Sequence, residues 1–246
     1  MFLSLGGWWT PELLDIFRTE PVTDISLTSS VHRPDESAGL VGRFFQQGCF
    51  TRLTRVSLAS ISLSHTDLSA LRLLPAVSSL NLASTGIDTY HLLHMISHAH
   101  TLRDLNLSSN LKVTDDSRVP LSALPRLSNL YLRDTGLTMP CLRLLVYALP
   151  STCRFVTVPQ GCLDYLNDRS RFYCQSIPAG YIQDPRHVPH LTVPVLRKNL
   201  ELHKRFNRDI IIGGGKAELV EKLMGLLCGR IADGGIAKRI GRGTVD

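Results

Sequence analysis

Apolar residues between Leu53 and Leu137 recur in a fixed order. Leu53-Thr-Arg-Val56-Ser-Leu58, Val77-Ser-Ser-Leu80-Asn-Leu82, Leu102-Arg-Asp-Leu105-Asn-Leu107 and Leu127-Ser-Asn-Leu130-Tyr-Leu132 are four copies of one template, and their first residues stand 24, 25 and 25 positions apart. The alternation at the end of each copy predicts a short strand with one face buried. A period in the twenties leaves room for one strand and one returning segment per unit, and no unit buries its own leucines, so neighbours must stack into a common core. The first unit also admits a register running from Leu58 to Leu63; Leu53 keeps the spacing even. Val22-Thr-Asp-Ile25-Ser-Leu27 repeats the template 31 residues upstream of Leu53 and reads as a degenerate first unit.

Turn chemistry marks where each strand ends. Thr85-Gly86-Ile87 and Thr135-Gly136-Leu137 follow their templates, and Asn110-Leu111 stands at the same place in the third unit. A small polar side chain there can bond the turning backbone, while glycine tolerates unusual dihedrals. Pro75 and Pro125 close return segments two residues before Val77 and Leu127. Helices are expected over Thr10–Thr19 as a cap on the open end, over Leu40–Phe50, and over Met139–Leu149 starting at Pro140, where proline suits a first helical position. Tyr90–His100 is expected as a further return helix with Leu92, Leu93 and Ile96 toward the core.

These residues resemble the leucine-rich-repeat superfamily over roughly residues 20 to 150, and the irregular period is closer to ribonuclease-inhibitor-like, F-box-associated and fungal intracellular members than to receptor ectodomains. The resemblance implies an α/β fold: a short leucine-rich-repeat solenoid of parallel strands with return helices. It also implies a protein-binding role, since such solenoids mostly serve as interaction surfaces.

Beyond residue 150 the repeat is lost. Residues 151 to 190 gain Pro, Gly and aromatic residues and read as a C-terminal cap and linker. Leu191–Leu200 then opens with a cap and proline, with Leu196, Leu200 and His203 on one face; Lys216–Met224 carries Leu219, Leu223 and Leu226 as a matching stripe. The expectation over 191 to 228 is a small helical hairpin, followed from 229 to 246 by a flexible basic tail containing Lys238-Arg239 and Arg242. The run Gly215-Lys216-Ala217-Glu218-Leu219-Val220-Glu221-Lys222-Leu223, after Leu191-Thr-Val-x-x-Leu-x-x-x-Leu200, looks like the SAP motif. Its connection, holding Arg208 to Gly214, is a few residues longer than that motif has. The resemblance implies binding to DNA or RNA through residues 191 to 246, with Arg205, Arg208, Lys216 and Lys222 as phosphate contacts. A plain packing appendage with a solvated charged face remains the alternative.

Charge agrees with that division. Residues 1 to 185 hold 15 Lys and Arg against 15 Asp and Glu, and residues 186 to 246 hold 12 against 6, so the net +6 belongs to the last quarter. Ile210-Ile-Ile-Gly-Gly-Gly-Lys216 mimics a phosphate loop, but the motif needs Gly at 210 and Ser or Thr at 217, where the chain has Ile210 and Ala217. The six cysteines never form C-x-x-C and are expected as buried thiols in a reducing compartment. Met1–Trp9 lacks a basic leader and a cleavage site, and no window approaches 18 apolar residues, so an intracellular protein, nuclear or cytoplasmic and without a membrane span, is expected.

Candidate chemistry is sparse. His91, His94 and His98 would share one face of a helix and could ligate zinc, but no carboxylate or thiolate completes the set, so neither metal nor cofactor is expected. No nucleophile elbow, cysteine-histidine signature or carboxylate pair is present, and no enzyme activity is expected. The chain reads as a scaffold that binds an unidentified protein with its exposed strand positions. Arg55, Arg103, Asp104, Tyr131 and Arg133 are the candidates, because Arg and Tyr are enriched at interface hot spots. The competing reading is the substrate-recognition part of an F-box-type ubiquitin ligase adaptor.

Overall fold

The computed structural model describes residues 2–4, 21–27, 41–42, 45 and 50–240. Seven strands, β1 (Phe2–Ser4), β2 (Asp24–Ser26), β3 (Arg55–Ser57), β4 (Ser79–Asn81), β5 (Asp104–Asn106), β6 (Asn129–Tyr131) and β7 (Arg154–Thr157), form one sheet in chain order, every neighbouring pair parallel. Parallel neighbours need a crossover of a dozen or more residues, which the 24- to 25-residue period provides. The middle residue of each strand pairs with the middle residue of the next, through Ile25, Val56, Leu80, Leu105, Leu130 and Phe155. Pairing of Val56 with Leu80 settles the register of the first full unit at Leu53, and pairing of Ile25 with Val56 places the degenerate unit in the sheet. This mixed α/β arrangement is compatible with a repeat solenoid. The sheet extends past the template at both ends: β1 lies in the apolar stretch before residue 10, and β7, with a bulge opposite Leu130/Tyr131, lies beyond the last copy of the template.

Each unit places its three template positions in a dry interior. Leu53, Val77, Leu102 and Leu127, then Val56, Leu80, Leu105 and Leu130, then Leu58, Leu82, Leu107 and Leu132 are all buried. The interior is closed by α1 (His65–Leu71), a 3-10 segment (Tyr90–His98), α2 (Arg118–Ser122) and α3 (Met139–Ala148), the last starting beside Pro140 as expected. Ser64 and Asp67 cap α1 reciprocally, and the other Asp67 oxygen accepts the Gly42 N–H at 3.0 Å. The expected helix Thr10–Thr19 lies outside the described residues, as does most of Leu40–Phe50, of which Val41 and Gly42 are helical. The segment at Tyr90 differs from the expected α-helix. Leu92, Met95 and His98 are the buried residues, a spacing of three that suits three residues per turn, so Leu93 and Ile96 point outward.

The turns repeat as faithfully as the strands. Ser60, Ser84, Ser109 and Asp134 all have positive φ, between 53° and 63°, at equivalent positions two residues past each template. The neighbouring glycines serve different needs: Gly86 has φ +73°, whereas at Gly136 a side chain would run into the Leu111 carbonyl, 2.5 Å from the place of a Cβ.

Two compact units divide the chain, Met1–Gln160 with Arg239–Asp246, and Gly161–Lys238. The second contains α4 (Gln160–Asn167), two short 3-10 turns, α5 (Val193–Lys204) and α6 (Lys216–Arg239). Leu196, Leu200 and Leu202 of α5 pack with Leu219, Leu223 and Leu227 of α6, so Leu227 takes the place expected for Leu226. Cys174, Ile177 and Val188 join that core, and the stretch expected as a linker is thus part of the packed unit. The expected flexible tail is corrected as far as Arg239, since residues 229 to 239 continue α6 as one helix; residues 241 to 246 lie outside the described residues. Its glycines, Gly229, Gly234 and Gly235, each cost about 1 kcal/mol of helix propensity. Burial of Ala232, Asp233 and Ile236 offsets that cost, and the Asp233 carboxylate accepts from the Tyr165 and Tyr173 hydroxyls at 3.0 and 2.9 Å. Burial and that carboxylate push the Tyr173 hydroxyl well above its ordinary pKa.

Candidate interaction surface

On β2 to β7 the residues on either side of the buried central one are lined up by the register as two rows. One row runs Asp24, Arg55, Ser79, Asp104, Asn129, Arg154; the other runs Ser26, Ser57, Asn81, Asn106, Tyr131, Thr157. Much of the polar capacity is already used within the sheet. The Arg55 guanidinium bonds the Asp24 carboxylate and holds it below the usual carboxylate range. Asn81 donates to the Ser57 hydroxyl at 3.3 Å, and Asn129 donates to the Asp104 carboxylate at 2.5 Å. Asn81 and Asn106 also accept from the backbone N–H two residues on, which fastens each strand end.

The five strand-face candidates therefore separate into two groups. Arg55 and Asp104 are committed to Asp24 and Asn129. Arg103, Tyr131 and Arg133 make no side-chain hydrogen bond or ion pair among the described residues; Arg103 and Arg133 are exposed and Tyr131 is half-buried. Arg103 lies beside Ser128, whose N–H donates to the Arg103 carbonyl at 2.7 Å, and Arg133 follows β6 by two residues. Arg154, exposed and in register with Asn129, belongs with this group. Its position was not legible in the sequence, because β7 carries Phe155 in place of leucine and has no copy of the template.

On the second unit, Arg205, Arg208, Lys216 and Lys222 are all exposed, at the end of α5, in the connection and on the first turns of α6. Lys222 donates to the Gly213 carbonyl at 3.0 Å, bracing the glycine loop. Gly214 has φ +102°, which favours glycine, and the Glu218 carboxylate folds over it into the space a side chain would take. A carboxylate thus stands at the helix N-terminus, where a phosphate would otherwise be favoured. Arg205, Arg208 and Lys216 are the cations that remain directed to solvent.

The histidines group differently from the expected trio. The 3-10 geometry carries His98 inward, where its ring bonds the Leu71 carbonyl, its Nε2 has no partner and burial lowers its pKa. His94 Nε2 instead lies 3.2 Å from Nδ1 of His65, and His91 Nδ1 lies 2.6 Å from the Asp88 carboxylate. Among the described residues no group of three or more His, Cys, Asp or Glu could hold a metal ion, and no helix is long and apolar enough to cross a membrane. Cys153 is buried and its thiol is pushed up to about 11 by that burial. No family model matches the chain, and a search of curated proteins finds no match.

Proposed function

We propose that the chain is a non-enzymatic interaction scaffold of the leucine-rich-repeat kind, in which the strand face of the first unit receives a protein partner. The observation that supports this most directly is the uncommitted set Arg103, Tyr131, Arg133 and Arg154 on and beside β5, β6 and β7, on a face where Arg55 is bonded to Asp24, Asn81 to Ser57 and Asn129 to Asp104. An aromatic ring and uncommitted guanidinium groups presented on one sheet offer broad contact at small entropic cost, and such residues dominate interface energetics. Tyr131→Ala with Arg133→Ala is expected to leave the thermal unfolding midpoint unchanged and to abolish capture of the partner from lysate by immobilised chain. Undiminished capture of the same partner would remove this reading.

The second unit supports an additional role. Arg205, Arg208 and Lys216 are exposed around the connection between α5 and α6, in the stretch that looks like the SAP motif. We propose weak, salt-sensitive binding of DNA or RNA through them, weakened further by the carboxylate of Glu218. In a salt series with labelled duplex, the full chain should bind at low ionic strength with a shallow log–log slope. Arg208→Glu with Lys216→Glu should eliminate binding, and absence of binding by the unaltered chain at the lowest salt would end the proposal.

A further inference from the structure

Among the described residues of the first unit, exposed apolar side chains gather on the return segments, on the side opposite the strands. Leu73 follows α1; Leu93 and Ile96 lie on the 3-10 segment, Val119 on α2, and Leu144 and Tyr147 on α3. Their relative exposures run from 41% at Ile96 to 65% at Tyr147. Successive return segments are spatial neighbours, α1 against the 3-10 segment, that segment against α2, and α2 against α3. The 25-residue repeat puts Val119 and Leu144 at equivalent places on adjacent segments. The six side chains thus form a stripe across the stack.

At the areas typical of aliphatic and aromatic side chains, the stripe presents on the order of 600 Å² of apolar surface, the upper end of what ordinary monomers expose. A standard interface buries about 800 Å² per partner, and homodimer interfaces are about 65% apolar. The stripe therefore matches the apolar area that one partner contributes to an interface of standard size. An apolar stripe is also complementary to itself, which a two-fold interface requires, because the same patch must meet its own copy. The strand face does not meet this condition: its rows are polar, and Arg103, Arg133 and Arg154 would meet like charges across a two-fold axis.

We propose that the chain forms a symmetric dimer through the outer face of its return segments, with Val119, Leu144 and Tyr147 at the centre, leaving the strand faces outward. This inference is independent of the scaffold reading, since it uses none of the same residues. Sedimentation velocity of the full chain at about 100 µM, well above a micromolar dissociation constant, should show a dimer. Val119→Asp and Leu144→Asp should each weaken self-association at least tenfold, and the pair should give a monomer. Both sites are exposed, so circular dichroism melts should superimpose on those of the unaltered chain; if the aspartate variants fail to fold, Tyr147→Gln should still shift the equilibrium toward monomer. A monomer at that concentration, or a dimer that persists in the double variant, would overturn the proposal. So would a dimer that is lost instead on Tyr131→Ala.

Discussion

Asn110→Ala should lower the unfolding free energy of the first unit by about 4 kcal/mol, beyond the usual range for single substitutions. The Asn110 carboxamide is 2% exposed and serves five backbone groups. Its oxygen accepts from the Thr85 and Gly86 N–H groups at 3.1 and 2.9 Å, and its nitrogen donates to the carbonyls of Leu82, Leu107 and Ser108 at 2.8, 2.9 and 3.2 Å. Alanine leaves the Thr85 and Gly86 N–H groups and the Leu107 carbonyl without this partner, while the Leu82 and Ser108 carbonyls keep the Thr85 hydroxyl and the Ser84 N–H; each unmet buried group costs about 1–3 kcal/mol before relaxation. Asn110→Thr makes a graded comparison. At the equivalent positions of the units on either side, Thr85 and Thr135 each make one such bond, to Leu82 and Leu132 at 2.7 and 2.9 Å. Threonine should therefore recover about half of the loss, with asparagine most stable and alanine least. Urea unfolding followed by circular dichroism measures the series. A loss below about 1 kcal/mol for alanine would show that the ladder bonds are replaceable.

Acidification should destabilise the second unit through His203. This residue is 1% exposed, and its Nδ1 accepts the Cys174 N–H at 3.1 Å, a bond that only the unprotonated nitrogen can make. Burial, with the nearby Arg230 charge, lowers its pKa from 6.5 to about 4. The folded state therefore binds the proton less readily than the unfolded chain. The stabilisation is complete above pH 6.5 and is lost as pH falls from there to about 4. The full window corresponds to about 3 kcal/mol at roughly 1.4 kcal/mol per pH unit. Asparagine can present an acceptor where Nδ1 stands without titrating, so His203→Asn should flatten this part of the profile. The difference between the two profiles isolates His203 from the buried His98 of the first unit. Calorimetric midpoints between pH 4 and 7.5 provide the measurement, and parallel profiles would exclude His203 as the source.

Much of the first unit was legible because one physical rule wrote it repeatedly. Three apolar positions per unit, at a constant interval, can all be buried only if the strands stack side by side in register, and Val56, Leu80, Leu105 and Leu130 do so. The rule stops being readable where a different side chain fills the same space. Phe155 continues the central row on β7, but an aromatic residue beside a bulge carries no trace of the leucine template. Helical periodicity misled at Tyr90–His98 for a related reason. With Leu92, Met95 and His98 buried, the segment winds at three residues per turn, and a reading at 3.6 assigns the wrong histidines to one face.

Candidate residues were legible as types and not as partners. Arg, Asp and Tyr at outward strand positions follow from alternation alone, yet pairing of Arg55 with Asp24 and of Asp104 with Asn129 depends on which rungs are adjacent. The same holds for the C-terminal glycines, which locally favour ending a helix near 228. Burial of Ala232, Asp233 and Ile236, with Asp233 held by Tyr165 and Tyr173 some sixty residues away, carries α6 on to Arg239.

The sequence by itself determined the strand period, the buried leucine rows, the turn chemistry and the basic bias of the last quarter, because each depends on spacing along the chain. The tertiary structure alone decided which cations stay uncommitted, which histidines meet, how far the last helix runs and where apolar surface stays exposed. These depend on distances between residues far apart in sequence, which a local pattern cannot encode.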